Sequence, residues 1–180
     1  MKKINEFNMD NISKINEFLA FLYECFCCVY LGIILKQISK ISFYILLLPI
    51  FVIVTLIIHE SIHILFFKIF NKNSKIKIIN NHFKQIFMYQ SNENVYYNKF
   101  QTIIILLSPL IFISIISFIL INCIPFDNIA LLIAMNMIIN AMGSVTDVIS
   151  SINLLTKYFN KKIFIKYELK NDGVNMIILS

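Results

Sequence analysis

The chain has 180 residues, 58% of them hydrophobic and 14% charged, with a mean hydropathy of +0.77. Soluble domains usually carry roughly a quarter charged residues, so this balance excludes an ordinary water-soluble globule, while three Gly and three Pro exclude collagen-like or linker-type low complexity. The net charge of +6 rests on sixteen lysines without a single arginine; arginine supplies the bidentate and stacking contacts of nucleic-acid readers, so no nucleic-acid partner is expected and the charge is read as facing lipid headgroups.

In chain order, the opening segment "MKKINEFNMDNISKINE" mixes acids with its lysines and leads to no small-residue cleavage site, so it is not read as a removable signal. Apolar runs able to cross about 30 Å of hydrocarbon need around 20 residues. Four are predicted, at about 18–35, 42–67, 102–124 and 129–155, the first being the shortest and containing Glu24. Between the second and third lies a polar insertion, 68–101, whose pieces "KIKII" and "FKQIFMYQ" predict a hairpin over the membrane face. The tail, 156–180, alternates apolar and polar residues around "NDG", a hairpin-turn signal. Cys25, Cys27, Cys28 and Cys123 all sit in apolar segments and are read as small packing residues; the CxxC formed by Cys25 and Cys28 has no second pair to make a zinc ribbon.

Lysine placement orients the spans. With the N-terminus inside, the outer loops hold only Lys36 and Lys40, and every other lysine falls on the inner side. The expectation is therefore an all-α membrane protein: about four transmembrane helices, a small cytoplasmic β-hairpin-like insertion and a short C-terminal β-like tail. These form a single membrane-embedded domain over 1–180, multi-pass in the cell membrane, with both termini cytoplasmic and the lipid bilayer as a partner.

The second span contains "HESIH", an HExxH. Helical residues four apart lie about 40° apart around the axis and about 6 Å along it, so His59 and His63 present their imidazoles to one point. Such a pair suits Zn²⁺. Glu60, about 100° from His59, is poorly placed as a ligand and well placed as a base for a metal-activated water. Ionisable groups within a spanning helix are costly and usually face a functional interior.

A hydrolytic zinc site needs a third protein ligand. The acids after the motif are Glu93, Asp127, Asp147, Glu168 and Asp172, and only Asp147 falls within a span. At about 1.5 Å per residue, Asp147 lies about 13 Å from the cytoplasmic end of its span, and His59 and His63 lie about 13 and 7 Å from the same end of theirs. Asp147 also belongs to a polar line of Asn136, Asn140, Gly143, Ser144, Asp147 and Ser151 on one helical face. Within that line, Asn140 either binds a substrate carbonyl or orients a ligand. Glu24, about 9 Å inside the same boundary, is the rival third ligand. His82, in the polar insertion, is read as a surface residue.

The stretches "IIHESIHILFFKIF", "FQTIIILLSPLIFI" and "NAMGSVTDV", followed by the tail "IKYELKNDGVNMIIL", resemble the bacterial membrane proteins called putative zincin peptidases, a family otherwise of unknown function. The resemblance covers most of the chain from the second span onward. It implies that His59, His63 and Asp147 bind zinc and that Glu60 is the catalytic base. The layout is also partly similar to site-2-protease-type intramembrane metalloproteases, whose third ligand is likewise a late aspartate; their usual proline between Asn and Asp and glycine after Asp are absent here. Together these readings point to a membrane-embedded zinc metallopeptidase that acts on a protein or peptide substrate. The alternative is a non-enzymatic zinc-binding membrane protein (a sensor, carrier or regulatory subunit), and a structural protein with a vestigial triad is a third reading.

Overall fold

Hydrocarbon offers no water to unpaired amides, so a chain this apolar is driven to satisfy its backbone within helices. The structure, a computed structural model, describes residues 3–8, 18, 22–23, 25, 41–73, 76–81, 85–90, 95–123, 127–170 and 173–180. Strand β1 covers Lys3–Asn8 and helix α1 covers Ile41–Phe70; they are followed by β2 (Ile76–Asn81), β3 (Gln85–Gln90) and the two-residue β4 (Tyr97–Asn98). Then come α2 (Lys99–Cys123), α3 (Asp127–Gly143), α4 (Val145–Lys157), β5 (Phe164–Lys170) and β6 (Gly173–Leu179).

Among the described residues, two helices are long and apolar enough to cross a membrane, α1 over Pro49–Phe70 and α2 over Lys99–Cys123. A third crossing results if Leu132–Gly143 and Val145–Lys157, bent by 49° at the break between them, act as one broken span. The second and third expected spans are thus present, on helices of 30 and 25 residues that are each slightly longer than the apolar run. The fourth is broken at Ser144. The first, 18–35, lies almost wholly outside the described residues, as do Glu24 and His82.

The helices are apolar outside and polar inside. On α1, Ile50, Ile53, Val54, Leu56, Ile57, Ile58, Leu65 and Ile69 are exposed, whereas Thr55, His59 and His63 are buried. On α2, Ile111, Phe112, Ile115, Ile116, Phe118 and Ile119 are exposed while Thr102, Ser108 and Ser117 are buried. Water would drive the opposite arrangement, so these surfaces match a lipid solvent. Hydroxyls within the helices bond back to the preceding turn, Thr55 Oγ1 to the Phe51 carbonyl at 2.7 Å and Ser61 Oγ to that of Ile57 at 2.6 Å, leaving no bare polar group at those positions. The result is a mostly helical membrane-type fold.

At one end of the helices the solvent logic reverses. Strands β1-β6-β5-β4 form an antiparallel sheet in that order, with Ile165 opposite Ile178, Tyr167 opposite Met176 and Tyr97 opposite Ile165. These five side chains are buried and pack with Ile105, Leu106, Leu154, Tyr158 and Ile163, flanked by Phe66, Phe67 and Phe70 at the end of α1. The ring of Phe67 meets those of Tyr97 and Tyr167 edge-on at 5.4 and 5.3 Å. A water-type apolar core therefore caps the end of the bundle where α1 and α4 finish and α2 begins.

Both predicted hairpins are present. β2 pairs with β3 from Ile76↔Gln90 to Asn81↔Gln85, and β5 with β6 down to Lys170↔Gly173. The joining of the tail into a four-stranded sheet is not visible in its pattern. β1 adds to the outer edge of β6, with a register shift between Lys3 and Asn5. Its sequence, KINEFN, lacks the strict alternation that marks a half-buried strand. An edge strand needs only backbone pairing on one side, which side-chain pattern does not encode.

Candidate metal centre

Residues four apart on a helix form a stripe, and α1 uses that spacing to aim Thr55, His59 and His63 at its neighbours. The facing residues come from the broken span. Thr55 Oγ1, whose hydrogen goes to the Phe51 carbonyl, also lies within hydrogen-bond distance of the Asn136 side-chain amide, one turn away from the motif. His59 Nδ1 meets Asn140 Oδ1 at 3.0 Å. At the next level Asp147, just past the break, places Oδ2 at 3.3 Å from His59 Nε2 and 3.4 Å from His63 Nε2. The two Nε2 atoms are 3.0 Å apart.

Each histidine has its Nδ1 fixed by an oxygen that can only accept. His63 Nδ1 lies 2.9 Å from the Ile105 carbonyl of α2, so that nitrogen carries the hydrogen. Asn140 Nδ2 donates to the Pro109 carbonyl at 3.3 Å, which turns the amide oxygen, not the NH₂ group, toward His59. His59 Nδ1 therefore also carries the hydrogen. Both Nε2 atoms face each other and a carboxylate oxygen. A cation at their centre would take the place of any proton shared there and engage all three donor atoms at one point.

The spacing also suits such an ion. Tetrahedral zinc with arms of about 2.0–2.1 Å has ligand–ligand edges of about 3.3–3.4 Å, against the observed 3.0, 3.3 and 3.4 Å. His59, His63 and Asp147 are 4%, 9% and 7% exposed, so water competes weakly for the site. They are the group of three metal-binding side chains found among the described residues, with their ligand atoms all within 4.8 Å of one another. An N,N,O donor set with hydrogen-bonded outer nitrogens is the usual environment of a zinc-binding imidazole pair.

Glu60 is not one of the three converging ligands. It is half-buried, interacts electrostatically with His63, His59 and Asp147, and makes no hydrogen bond or ion pair among the described residues. The structure thus brings together His59, His63, Asp147 and Asn140, with Glu60 beside them. Asn140 has both ends of its amide engaged, one on His59 and one on Pro109. That geometry supports the ligand-orienting option of the two expected for it. Thr55 and the two α2 carbonyls complete the surroundings. Thr55 continues the histidine spacing one turn back and is recognisable on that ground, but backbone oxygens leave no residue-type signal.

A buried His-His-Asp cluster with an adjacent carboxylate, held between helices with lipid-type exteriors, is a donor set that could hold a metal ion inside a membrane-type helical fold. Over residues 52–163, well over half of its length, the chain matches the family model described as "Putative zincin peptidase", and it belongs to that family. No curated protein and no solved structure matches the chain. A zincin is a zinc peptidase by definition, so the family and the donor set point to the same metal.

Proposed function

We propose that this protein is a membrane-embedded zinc metallopeptidase, built as one domain over 1–180, in which His59, His63 and Asp147 hold the metal and Glu60 is the base. The observation that carries the reading is the convergence of His59 Nε2, His63 Nε2 and Asp147 Oδ2 beside the Glu60 carboxylate, which makes no hydrogen bond or ion pair among the described residues. When bound, zinc supplies the Lewis acidity that polarises a peptide carbonyl and eases deprotonation of water. Glu60 takes the proton from the attacking water and returns it to the departing amine. Asn140 and the Ile105 carbonyl keep the two imidazoles aimed at the metal, so neither ring has to reorient during a turnover.

The substrate is a protein or peptide presented in extended form. A helical substrate shields its carbonyls, so it must unwind near the site. The β2–β3 hairpin, a two-stranded sheet separate from the four-stranded one, offers a backbone edge on which an unwound segment can pair. The cell membrane is the setting, with both termini on the cytoplasmic side, because the sheet-capped end of the bundle carries the exposed lysines Lys68, Lys72, Lys157, Lys161 and Lys162.

The test is Glu60→Gln, which preserves shape and removes the base. Cleavage of a genuine substrate is expected to fall by about 10²–10⁴-fold while zinc binding persists. Full cleavage by the variant contradicts the mechanism. Close burial of all three ligands favours a second reading, in which the site binds zinc without catalysis and the protein is a sensor, carrier or regulatory subunit. That reading expects equal biological activity from the native protein and Glu60→Gln.

A further inference from the structure

A proline within a helix has no amide hydrogen, so the carbonyl four residues before it loses its helical partner. Pro109 lies inside α2, and the carbonyl it releases is that of Ile105. Ile105 is 0% exposed, which keeps surface water from the freed oxygen. An unmet carbonyl in such a place is costly, and in spanning helices it is taken up by a neighbouring helix or by a Ser or Thr hydroxyl. Both happen here. Ser108 Oγ donates to the Ile105 oxygen at 2.8 Å, and His63 Nδ1, from α1, donates to it at 2.9 Å.

We propose that Pro109 is a positioning residue for the metal centre. By withholding its own amide hydrogen it leaves the Ile105 carbonyl to His63, fixing that ring as the Nδ1–H tautomer with Nε2 turned toward His59 and Asp147. This inference rests on the metal-binding reading above. Pro109 acts on the other histidine as well, since its carbonyl accepts Asn140 Nδ2–H at 3.3 Å and so turns the Asn140 oxygen to His59. One turn of α2, Ile105 to Pro109, thereby sets the orientation of both imidazoles. Alanine at 109 restores the helical amide, which then competes with His63 for the Ile105 oxygen.

The competing explanation is packing, because the Pro109 ring is itself fully buried. The two explanations diverge when zinc affinity and stability are measured separately on the purified full-length protein in detergent. Pro109→Ala is expected to weaken zinc binding, read by competition with a chromophoric chelator, by about 10–100-fold. The zinc-free variant should unfold at no lower temperature than the native protein, since it regains a helical hydrogen bond. Native zinc affinity in Pro109→Ala overturns the proposal, and if His63→Ala has meanwhile lost zinc, the metal site itself stands.

A second measurement does not depend on the variant folding. In zinc-free native protein labelled with ¹⁵N-histidine, at mildly alkaline pH, the His63 signals, assigned by their loss in His63→Ala, should be those of the Nδ1–H tautomer. An Nε2–H tautomer overturns the proposal. This spectrum tests the premise on which the role of Pro109 stands, a hydrogen on His63 Nδ1 facing the Ile105 carbonyl, even if the native protein takes up no zinc, an outcome that would remove the metal reading instead.

Discussion

At the residue scale, the centre depends on hydrogen bonds that are not to the metal. Asn140 and Ile105 each offer an acceptor to one Nδ1, and this turns both Nε2 atoms inward. Outer-shell partners of this kind typically contribute about 10–100-fold to metal affinity. Asn140→Ala should therefore bind zinc by about that factor less tightly in a chelator competition, with His59, His63 and Asp147 intact; unchanged affinity would mean the amide only packs. Much of this site was legible beforehand. HExxH brings His59 and His63 together by spacing alone, and Asp147, ranked by depth above its rival Glu24, is the acid that meets them; the roles of ligand and base stay proposals. The parts that were not legible are backbone carbonyls, because any residue type can supply one.

At the element scale, two features place Asp147. The first is the break before α4, where the Ser144 hydroxyl bonds to the Asn140 carbonyl at 2.8 Å and its amide is shared between the Asn140 and Ala141 carbonyls at 3.0 and 3.2 Å. Gly143 precedes this break, yet a Cβ there would meet only Leu56 Cδ2, at an ordinary 3.9 Å. Gly143→Ala is expected to keep full zinc content and to change stability by less than about 1 kcal/mol, in the stabilising direction. A lost metal site in that variant would show that the bend does need glycine.

The second feature is Lys99, the buried first residue of α2, whose ammonium donates to the carbonyls of Tyr158 and Phe159 just past the end of α4, at 2.9 and 2.7 Å. It ties the start of one helix to the finish of the other and so sets the depth of α4. Lys99→Met keeps the length of the side chain and removes its donors, and should cost about 2 kcal/mol in a denaturant or thermal unfolding experiment. Apolar run length made α1 and α2 legible as elements. The break in the last span was not legible, because nothing in "NAMGSVTDV" distinguishes a bent helix from a straight one; nor was the use of a mid-chain lysine as a tie, since Lys in a polar stretch reads first as solvated.

At the scale of the whole molecule, the chain answers to two solvents. Helices with aliphatic exteriors and polar interiors suit lipid, and the four-stranded sheet with its tyrosine-rich core suits water. The boundary between them is where the exposed lysines gather, which is the basis for the proposed topology. A single cysteine placed at Lys161 in a cysteine-free background should resist a membrane-impermeant thiol reagent in intact cells and react once the cells are opened. Labelling in intact cells would invert the topology. The division into lipid-type and water-type parts was legible from hydropathy and lysine distribution. The assembly of the sheet was not, because β1 and the two-residue β4 are recruited by the open backbone edges of β5 and β6 rather than by their own pattern.

The central claim is that His59, His63 and Asp147 hold zinc together. The metal content of protein purified in detergent, measured by mass spectrometry for the native chain, His63→Ala and Asp147→Ala, tests it most directly. The account predicts about one zinc per native chain and little in either variant, because two ligands in a buried site retain the ion poorly. Native protein that takes up no zinc, or stoichiometric zinc in Asp147→Ala, would contradict it.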